Sequence, residues 1–301
     1  MSMLEVSHLT KQFGHLKAVD DLSFQVQPSR VTGFLGPNGA GKTTTLRMAL
    51  GLIRATAGTV TFDGQPYHQL PKPMSHVGAA LEASSFHPGR TARNHLLFLA
   101  PSVGASKQRC DEVLELVGLG AVAKKRVKGF SLGMRGRLSL AATLLGDPQF
   151  LLLDEPTNGL DPEGIAWMRG LMRHLASEGR TILISSHLLS EVQQTVDDVI
   201  IIAQGKMVHS SPLTELDKMA VTRSIVTVSQ PETLVTIAGH FGWQLQTDPT
   251  QPDSFIITGP SARDIGHACF TAGVEIYQLA QRHEGLEEIF LSLTEGRGGV
   301  R

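Results

Sequence analysis

Apolar residues follow two patterns along this chain, and the two patterns alternate over most of its length. Short apolar runs predict buried strands, whereas apolar residues at every third or fourth position predict amphipathic helices. The predicted strands cover residues 4–10, 22–26, 31–35, 59–62, 150–153, 181–185 and 198–203. The predicted helices cover residues 42–51, 91–100, 106–117, 132–145, 163–178 and 188–196.

The order of these elements predicts the fold class. Strands and helices alternate from residue 150 to residue 203, which is typical of a parallel sheet built from βαβ units. Helices replace strands between about residues 84 and 147, and strands dominate the first 65 residues. We therefore predict an α/β protein with a parallel-sheet core, a small N-terminal antiparallel β subdomain, and a helical subdomain over about residues 84–147.

The pattern changes again after Pro212. A helix is predicted up to residue 219, followed by strands at 225–228, 255–258 and 274–278 and by helices at 232–241, 262–272 and 286–294. This order predicts a small C-terminal α+β lobe with a ferredoxin-like topology. We expect one domain over residues 1–214 and a second, accessory domain over residues 215–301.

Composition excludes several classes of protein. With 27 basic and 28 acidic residues the chain lacks the basic footprint of a nucleic-acid binder. Two cysteines, Cys110 and Cys269, are too few for a disulfide framework and lack zinc-ligand spacing, which indicates a reduced, cytoplasmic setting. The N-terminus has no secretion-signal pattern, and no run approaches the roughly 18 apolar residues of a membrane-spanning helix. We expect a chain that does not itself cross a bilayer.

One segment carries a phosphate-binding motif between a predicted strand and a predicted helix. The pattern G-x-x-x-x-G-K-[ST] is filled by Gly36, Pro37, Asn38, Gly39, Ala40, Gly41, Lys42 and Thr43, and is followed by Thr44. In that context backbone N–H groups at a helix N-terminus bind a phosphate chain. Lys42 supplies a cation for the β- and γ-phosphates, and Thr43 supplies a hard oxygen ligand for Mg²⁺. The motif predicts a nucleoside triphosphate site; a chance glycine-rich turn is the alternative.

Two adjacent acids, Asp154 and Glu155, follow the apolar run at residues 150–153. The carboxyl end of a parallel strand is where such sheets bind ligands. There Asp154 would hold Mg²⁺ through water, and Glu155 would polarise the attacking water. A merely solvated strand end is the alternative, but the phosphate loop belongs to the same predicted sheet and favours the catalytic role.

Further motifs follow in a fixed order. The segment after Glu155 continues as Pro-Thr, then Gly-Leu-Asp161-Pro, and His187 follows the predicted strand at 181–185. A helix start upstream reads Ser131, Leu132, Gly133, Met134 and Arg135. With these motifs the chain resembles the nucleotide-binding subunit of an ATP-binding cassette (ABC) transporter over roughly residues 3–215. The resemblance implies a P-loop NTPase (RecA-like) fold that binds ATP.

The resemblance also implies a role for each later motif. Residues 131–135 would form the signature segment, which contacts the γ-phosphate bound by a second, opposite subunit, so that two ATP molecules join two subunits head to tail. A homodimer of this chain is expected, and a pair with a non-identical cassette is the alternative. Asp161 would lie in the D-loop at the seam, although a helix N-cap is an alternative role. His187 would sense the γ-phosphate and orient the water. Lys42, Glu155 and His187 are then the expected catalytic residues.

The resemblance also implies a role for Phe13 and for Glu82. Phe13 lies where the family places an aromatic side chain that stacks on adenine, and core packing is the alternative. Glu82 stands where the family usually has a glutamine, and its carboxylate can still be an oxygen ligand for Mg²⁺. Glutamate here, the Ser-Leu-Gly-Met signature and the ending Leu-Glu-Glu-Ile-Phe resemble the branch of bacitracin, lantibiotic and multidrug exporters.

This resemblance implies a function and its partners. A cytoplasmic ATP-hydrolysing subunit, peripheral on the inner face of the cell membrane, would drive a separate integral membrane permease in export of drugs, peptides or lipids. Residues 82–94 are expected to contact that permease. An importer subunit, a soluble ABC-type ATPase outside transport and a cassette without turnover are the alternatives. The presence of Lys42, Asp154, Glu155 and His187 favours turnover.

Overall fold

The chain forms two compact units in a computed structural model that describes residues 3–81, 86–219, 222–247, 254–283 and 286–294. The first unit contains the described residues up to Leu213 together with Leu293 and Thr294, and the second covers Thr214–Ser292. The strands of the first unit are β1 (Leu4–Phe13), β2 (Leu16–Val26), β3 (Arg30–Leu35), β4 (Ala57–Phe62), β5 (Val77–Ala80), β6 (Phe150–Asp154), β7 (Thr181–Ser186), β8 (Asp198–Ala203) and β9 (Lys206–Pro212). Its helices are α1 (Lys42–Ala49), α2 (Pro73–His76), α3 (Ala92–Val103), α4 (Lys107–Leu116), α5 (Leu132–Leu144), α6 (Pro162–Ser177) and α7 (Leu189–Val192).

Two sheets form the framework of the first unit. One has the strand order β5-β6-β7-β3-β8-β9, in which β9 pairs antiparallel and the others pair in parallel. The other is antiparallel, with the order β2-β1-β4. Aromatic pairs join the two sheets in one buried cluster, with ring centroids 5.3 Å apart for Phe24 and Phe34 and 5.2 Å apart for Phe62 and Phe150. The predicted parallel core and N-terminal antiparallel sheet are confirmed.

Three helices, α3, α4 and α5, separate β5 from β6 along the chain. Each begins at a side chain that accepts a hydrogen bond from the backbone N–H three residues later. The capping residues are Thr91, Ser106 and Ser131, with distances of 3.1, 3.0 and 3.2 Å. Such a cap stabilises a helix by about 1 kcal/mol because it satisfies a donor that has no partner within the helix. The helical subdomain therefore begins its helices where the sequence predicts them.

Several elements differ from the prediction. Strands β5 and β9 were not predicted, and the helix predicted over 188–196 ends at Val192. The Thr195 N–H returns to the Val192 carbonyl at 2.7 Å in a tight turn, and β-branched Thr195 and Val196 disfavour further helix. In β5, a Cβ at Gly78 would clash with the carbonyl oxygen of Thr143. Small residues that permit this close approach leave no apolar pattern to detect.

The second unit has a four-stranded antiparallel sheet with the order β11-β12-β10-β13. The elements after α7 are α8 (Leu213–Asp217), β10 (Thr222–Val228), α9 (Pro231–Phe241), β11 (Gln244–Thr247), β12 (Ser254–Thr258), α10 (Ala262–Thr271), β13 (Ile276–His283) and α11 (Leu286–Thr294). The β10-α9-β11-β12-α10-β13 succession with this strand order is ferredoxin-like, as predicted. None of the described helices combines the length and apolar character that a bilayer crossing requires.

Candidate active site

The phosphate-loop segment connects the end of β3 to the start of α1. Gly39 and Gly41 have φ angles of 81° and 105°, in the left-handed region that favours glycine. A Cβ at Gly36 would clash with the carbonyl oxygen of Ile202, and a Cβ at Gly41 would clash with that of Ala18. The loop can therefore adopt this path only with glycine at these positions.

Several backbone N–H groups of this loop donate no hydrogen bond to the described residues. Within the described residues, no acceptor lies at hydrogen-bond distance from the N–H groups of Gly39, Gly41, Lys42, Thr43 and Thr44. The N–H of Ala40 differs, since it donates to the Pro37 carbonyl at 3.1 Å. Free donors at the N-terminus of α1, together with the helix dipole, favour an anion at this place.

Lys42 is the buried cation of the site, with 6% of its side chain exposed. Its Nζ donates to the carbonyl oxygens of Gly36 and Pro37 at 2.6 and 3.3 Å, and it lies 3.8 Å from Glu155 Oε1. Burial lowers the pKa of the Lys42 ammonium, and the carboxylates of Glu155 and Asp154 oppose that shift. A compact cation is thus held at the mouth of the loop by two carbonyls and a nearby acid.

Asp154 ends β6 beside the first turn of α1. Its Oδ2 accepts a hydrogen bond from Thr43 Oγ1 at 2.7 Å, and its Oδ1 accepts one from the Ser185 hydroxyl. Asp154 and Ser185 face each other because β6 and β7 pair in that register. The Thr43 hydroxyl and the Asp154 carboxylate are hard oxygen donors side by side, a set that fits Mg²⁺. Glu82, the third predicted ligand, lies outside the described residues.

Glu155 and His187 meet across the ends of β6 and β7. The His187 Nδ1 lies 2.8 Å from Glu155 Oε2, and both side chains are partly exposed. The Glu155 N–H donates to Ser185 Oγ at 3.0 Å, and the Glu155 backbone is left-handed with a φ of 49°. A carboxylate oriented by an imidazole at hydrogen-bond distance is the arrangement expected of a general base and its partner.

The predicted signature segment, residues 131–135, lies at the start of α5 and packs against the loop before α6. A Cβ at Gly159 would clash with the Leu132 side chain, and a Cβ at Gly133 would lie 3.3 Å from the Leu160 side chain. Within the described part of the chain, no hydrogen bond or ion pair joins residues 131–135 to Lys42, Asp154 or Glu155. Within the described part of one copy, residues 131–135 are therefore not bonded to the side chains beside the phosphate loop.

The structure bears on the alternatives at two predicted positions. Phe13 is 48% exposed at the end of β1, with Lys11 Nζ 4.7 Å from its ring centroid, so the core-packing alternative is wrong. Asp161 is the N-cap of α6, where its Oδ1 accepts the Gly164 N–H at 2.8 Å. The seam role of Asp161 stays a prediction, and its carboxylate already has a structural task.

The polar residues that connect the ends of β6 and β7 belong to no motif and were not predicted from the sequence. Besides Ser185, these include Glu191, whose Oε2 lies 3.1 Å from Ser186 Oγ and 3.3 Å from Thr157 Oγ1. The only signal in the sequence was a pair of serines closing an otherwise apolar strand. Their partners could not be identified without the relative placement of two loops that are distant in the chain.

Known proteins supply an independent comparison. A family model described as ABC transporter matches residues 19–158. The chain is 39% identical over 302 residues to the bacitracin transport ATP-binding protein BcrA of Bacillus licheniformis, with 98% of each chain covered. It is 36% identical to the lantibiotic transport ATP-binding protein SrtF of Streptococcus pyogenes, over 68% of this chain and 89% of that protein.

Solved structures agree with the sequence relatives. A structure described as the ATP binding subunit of an ABC transporter superposes with a TM-score of 0.66 and 25% identity, over 72% of this chain and 92% of that chain. A nucleotide-free ATP-binding cassette from an ABC transporter superposes with a TM-score of 0.62, over 70% of this chain and 92% of that chain. The chain therefore belongs to the ABC transporter ATP-binding proteins and is an ATP-binding, ATP-hydrolysing member of that family.

Proposed function

We propose that this chain is the ATP-hydrolysing subunit of an ABC exporter, and that two copies act on a separate permease at the cytoplasmic face of the membrane. The observation that carries the proposal is the convergence of Lys42, Asp154, Glu155 and His187 beside a loop of free backbone donors. Relatives named for bacitracin and lantibiotic transport support a peptide or drug as cargo. They favour export over import and over an ATPase outside transport.

ATP binding in this proposal begins at the phosphate loop. The Lys42 ammonium exchanges its contacts with the Gly36 and Pro37 carbonyls for contacts with the β- and γ-phosphates. The free N–H groups of the loop donate to phosphate oxygens, and the glycine positions leave the backbone open to their approach. The exposed ring of Phe13 stacks on the adenine.

Thr43 and Asp154 would hold Mg²⁺, with Glu82 as the third predicted ligand. Bound Mg²⁺ neutralises charge on the phosphate oxygens during transfer. The hydroxyl of Thr43 and the carboxylate of Asp154 already lie together, so little rearrangement of this chain is needed to present both oxygens. Ser185 holds the other oxygen of Asp154 and fixes the orientation of the carboxylate.

Hydrolysis depends on Glu155 and His187. Glu155 orients the attacking water and accepts its proton at a carboxylate oxygen, while the 2.8 Å contact with His187 Nδ1 holds that carboxylate in place. His187 also contacts the γ-phosphate and so reports its presence. The strained backbone at Glu155 is consistent with a side chain held in a required direction.

Two copies would close around two ATP molecules. Ser131, Leu132, Gly133, Met134 and Arg135 of one copy would bind the γ-phosphate held by the other, at the N-terminus of α5. The binding energy of both nucleotides selects the closed dimer, and hydrolysis removes the bridging phosphate so that the dimer reopens. The permease follows these movements through residues 82–94 and the helical subdomain.

The coupling of ATP hydrolysis to transport is tested at Asn94, an exposed residue of the segment 82–94. Asn94→Arg is expected to abolish transport by the permease complex reconstituted in vesicles, because it places charge on the contact surface, and to leave basal ATP hydrolysis within about twofold of wild type. The same measurements on Gln108→Arg, exposed in α4, give the matched control. Full transport by the Asn94→Arg complex would contradict the proposed contact.

A further inference from the structure

Glu191 belongs to none of the motifs above, yet it bridges the two loops that carry Glu155 and His187. It lies in α7, the short helix that follows His187. Its Oε2 is 3.1 Å from the hydroxyl of Ser186, the residue directly before His187. The same oxygen is 3.3 Å from the hydroxyl of Thr157, two residues beyond Glu155. One carboxylate therefore contacts both loops.

Both hydroxyls are removed from water, which makes these contacts matter. Ser186 is fully buried and Thr157 is 8% exposed. A buried hydroxyl without a partner costs about 1–3 kcal/mol, so a bond to such a group remains formed in the folded state. Ser186 Oγ also contacts Leu188, whereas Thr157 Oγ1 has Glu191 as its only partner among the described residues. Thr157 is thus held by Glu191.

The turn at Glu155 needs support from both sides. A left-handed backbone at a residue other than glycine costs on the order of 1–3 kcal/mol and persists only where its surroundings hold it. On the strand side, Ser185 Oγ accepts the Glu155 N–H at 3.0 Å. On the side that follows Glu155 in the chain, the contact between Thr157 and Glu191 holds the turn against the loop of His187. One carboxylate oxygen of Glu155, one ring nitrogen of His187 and one carboxylate oxygen of Glu191 all lie within 4.8 Å of one another.

We propose that Glu191 is a positioning residue for ATP hydrolysis. It holds Thr157 against Ser186, and by fixing these two loops it keeps His187 Nδ1 at hydrogen-bond distance from Glu155 Oε2. It acts through other residues, without contact to ATP. The inference rests on the proposed roles of Glu155 and His187, and it adds the means by which their alignment is maintained.

Steady-state hydrolysis measures the effect. Glu191→Ala is expected to lower kcat roughly tenfold and to leave the KM for ATP within about twofold, because alignment is lost and the phosphate loop is untouched. Glu191→Gln retains an oxygen that accepts from both hydroxyls and is expected to recover most of the rate. Thr157→Val, which is nearly isosteric, is expected to lower kcat about as much as Glu191→Ala does. The double variant Thr157→Val with Glu191→Ala is expected to lower kcat no further than either single variant.

The His187→Ala background separates positioning from general stabilisation. If Glu191 acts through His187, Glu191→Ala has no further effect on single-turnover rates in that background. A tenfold loss there, equal losses for the Gln and Ala variants, or a rise in KM equal to the fall in kcat would each overturn the inference. Where Glu191→Ala does not fold, Thr157→Val gives the same test. Failure of the proposed function would be recognised separately, because Glu155→Gln would then hydrolyse ATP at the wild-type rate.

Discussion

Glu155→Gln is expected to lower the kcat of ATP hydrolysis by about two to four orders of magnitude while ATP binding is retained. The amide has the shape of the carboxylate and can still contact His187, but it cannot accept the proton of the attacking water. Loss of the negative charge beside Lys42 also removes a competitor for its ammonium. Single-turnover hydrolysis and equilibrium ATP binding, measured on the same preparation, check both parts.

Glu163→Gln is the matched control for that prediction. Glu163 is an exposed acid in the first turn of α6 and is not among the predicted site residues. Its substitution should leave kcat within about twofold of wild type, because surface changes of this kind have small effects. Equal hydrolysis by wild type and Glu155→Gln would exclude Glu155 as the base.

Lys42→Met is expected to weaken ATP binding by roughly tenfold to a hundredfold, the equivalent of about one charged hydrogen bond. Methionine retains most of the length of the buried side chain but removes the ammonium that would contact the β- and γ-phosphates. It also removes the cation that faces Glu155 and Asp154. Titration with a fluorescent ATP analogue measures the change in Kd.

Lys128→Met serves as the control for the loss of a lysine. Lys128 is exposed, before the signature segment, and forms no ion pair within the described residues. Its substitution should leave the Kd unchanged. An unchanged Kd for Lys42→Met as well would show that the phosphate chain binds away from this loop.

Local signals explain which parts of the fold could be predicted. The ends of β3 and β6 were predicted within a residue because their apolar runs stop at the glycine loop and at the two acids. Edge strands β9 and β11 were missed because most of their residues are polar and none of them is fully buried, so no apolar pattern marks them. The hairpin of β1 and β2 extends beyond its predicted length around Gly14, whose φ of 57° permits the turn.

The candidate site likewise has residues that could be predicted from the sequence and contacts that could not. Lys42, Asp154, Glu155 and His187 stand in motifs whose spacing predicts their roles, and the fold brings these four side chains together. The supporting contacts of Glu191 could not be predicted, because they depend on how the loops after β6 and β7 lie against each other. The exposure of Phe13 could not be predicted either, because the sequence at the end of a strand does not show whether an aromatic ring faces the core or the solvent.

The shared ATP site is tested most directly by the molecular mass of Glu155→Gln in solution with saturating Mg-ATP, measured by light scattering during size-exclusion chromatography. Because ATP binding without hydrolysis should hold two copies together, we expect the mass of a dimer with ATP and of a single chain without it. At an ATP concentration that saturates Glu155→Gln but lies below the weakened Kd of Lys42→Met, Lys42→Met should keep the single-chain mass. A single-chain mass for Glu155→Gln at saturating Mg-ATP, both alone and when co-purified with its permease, would contradict the shared ATP site.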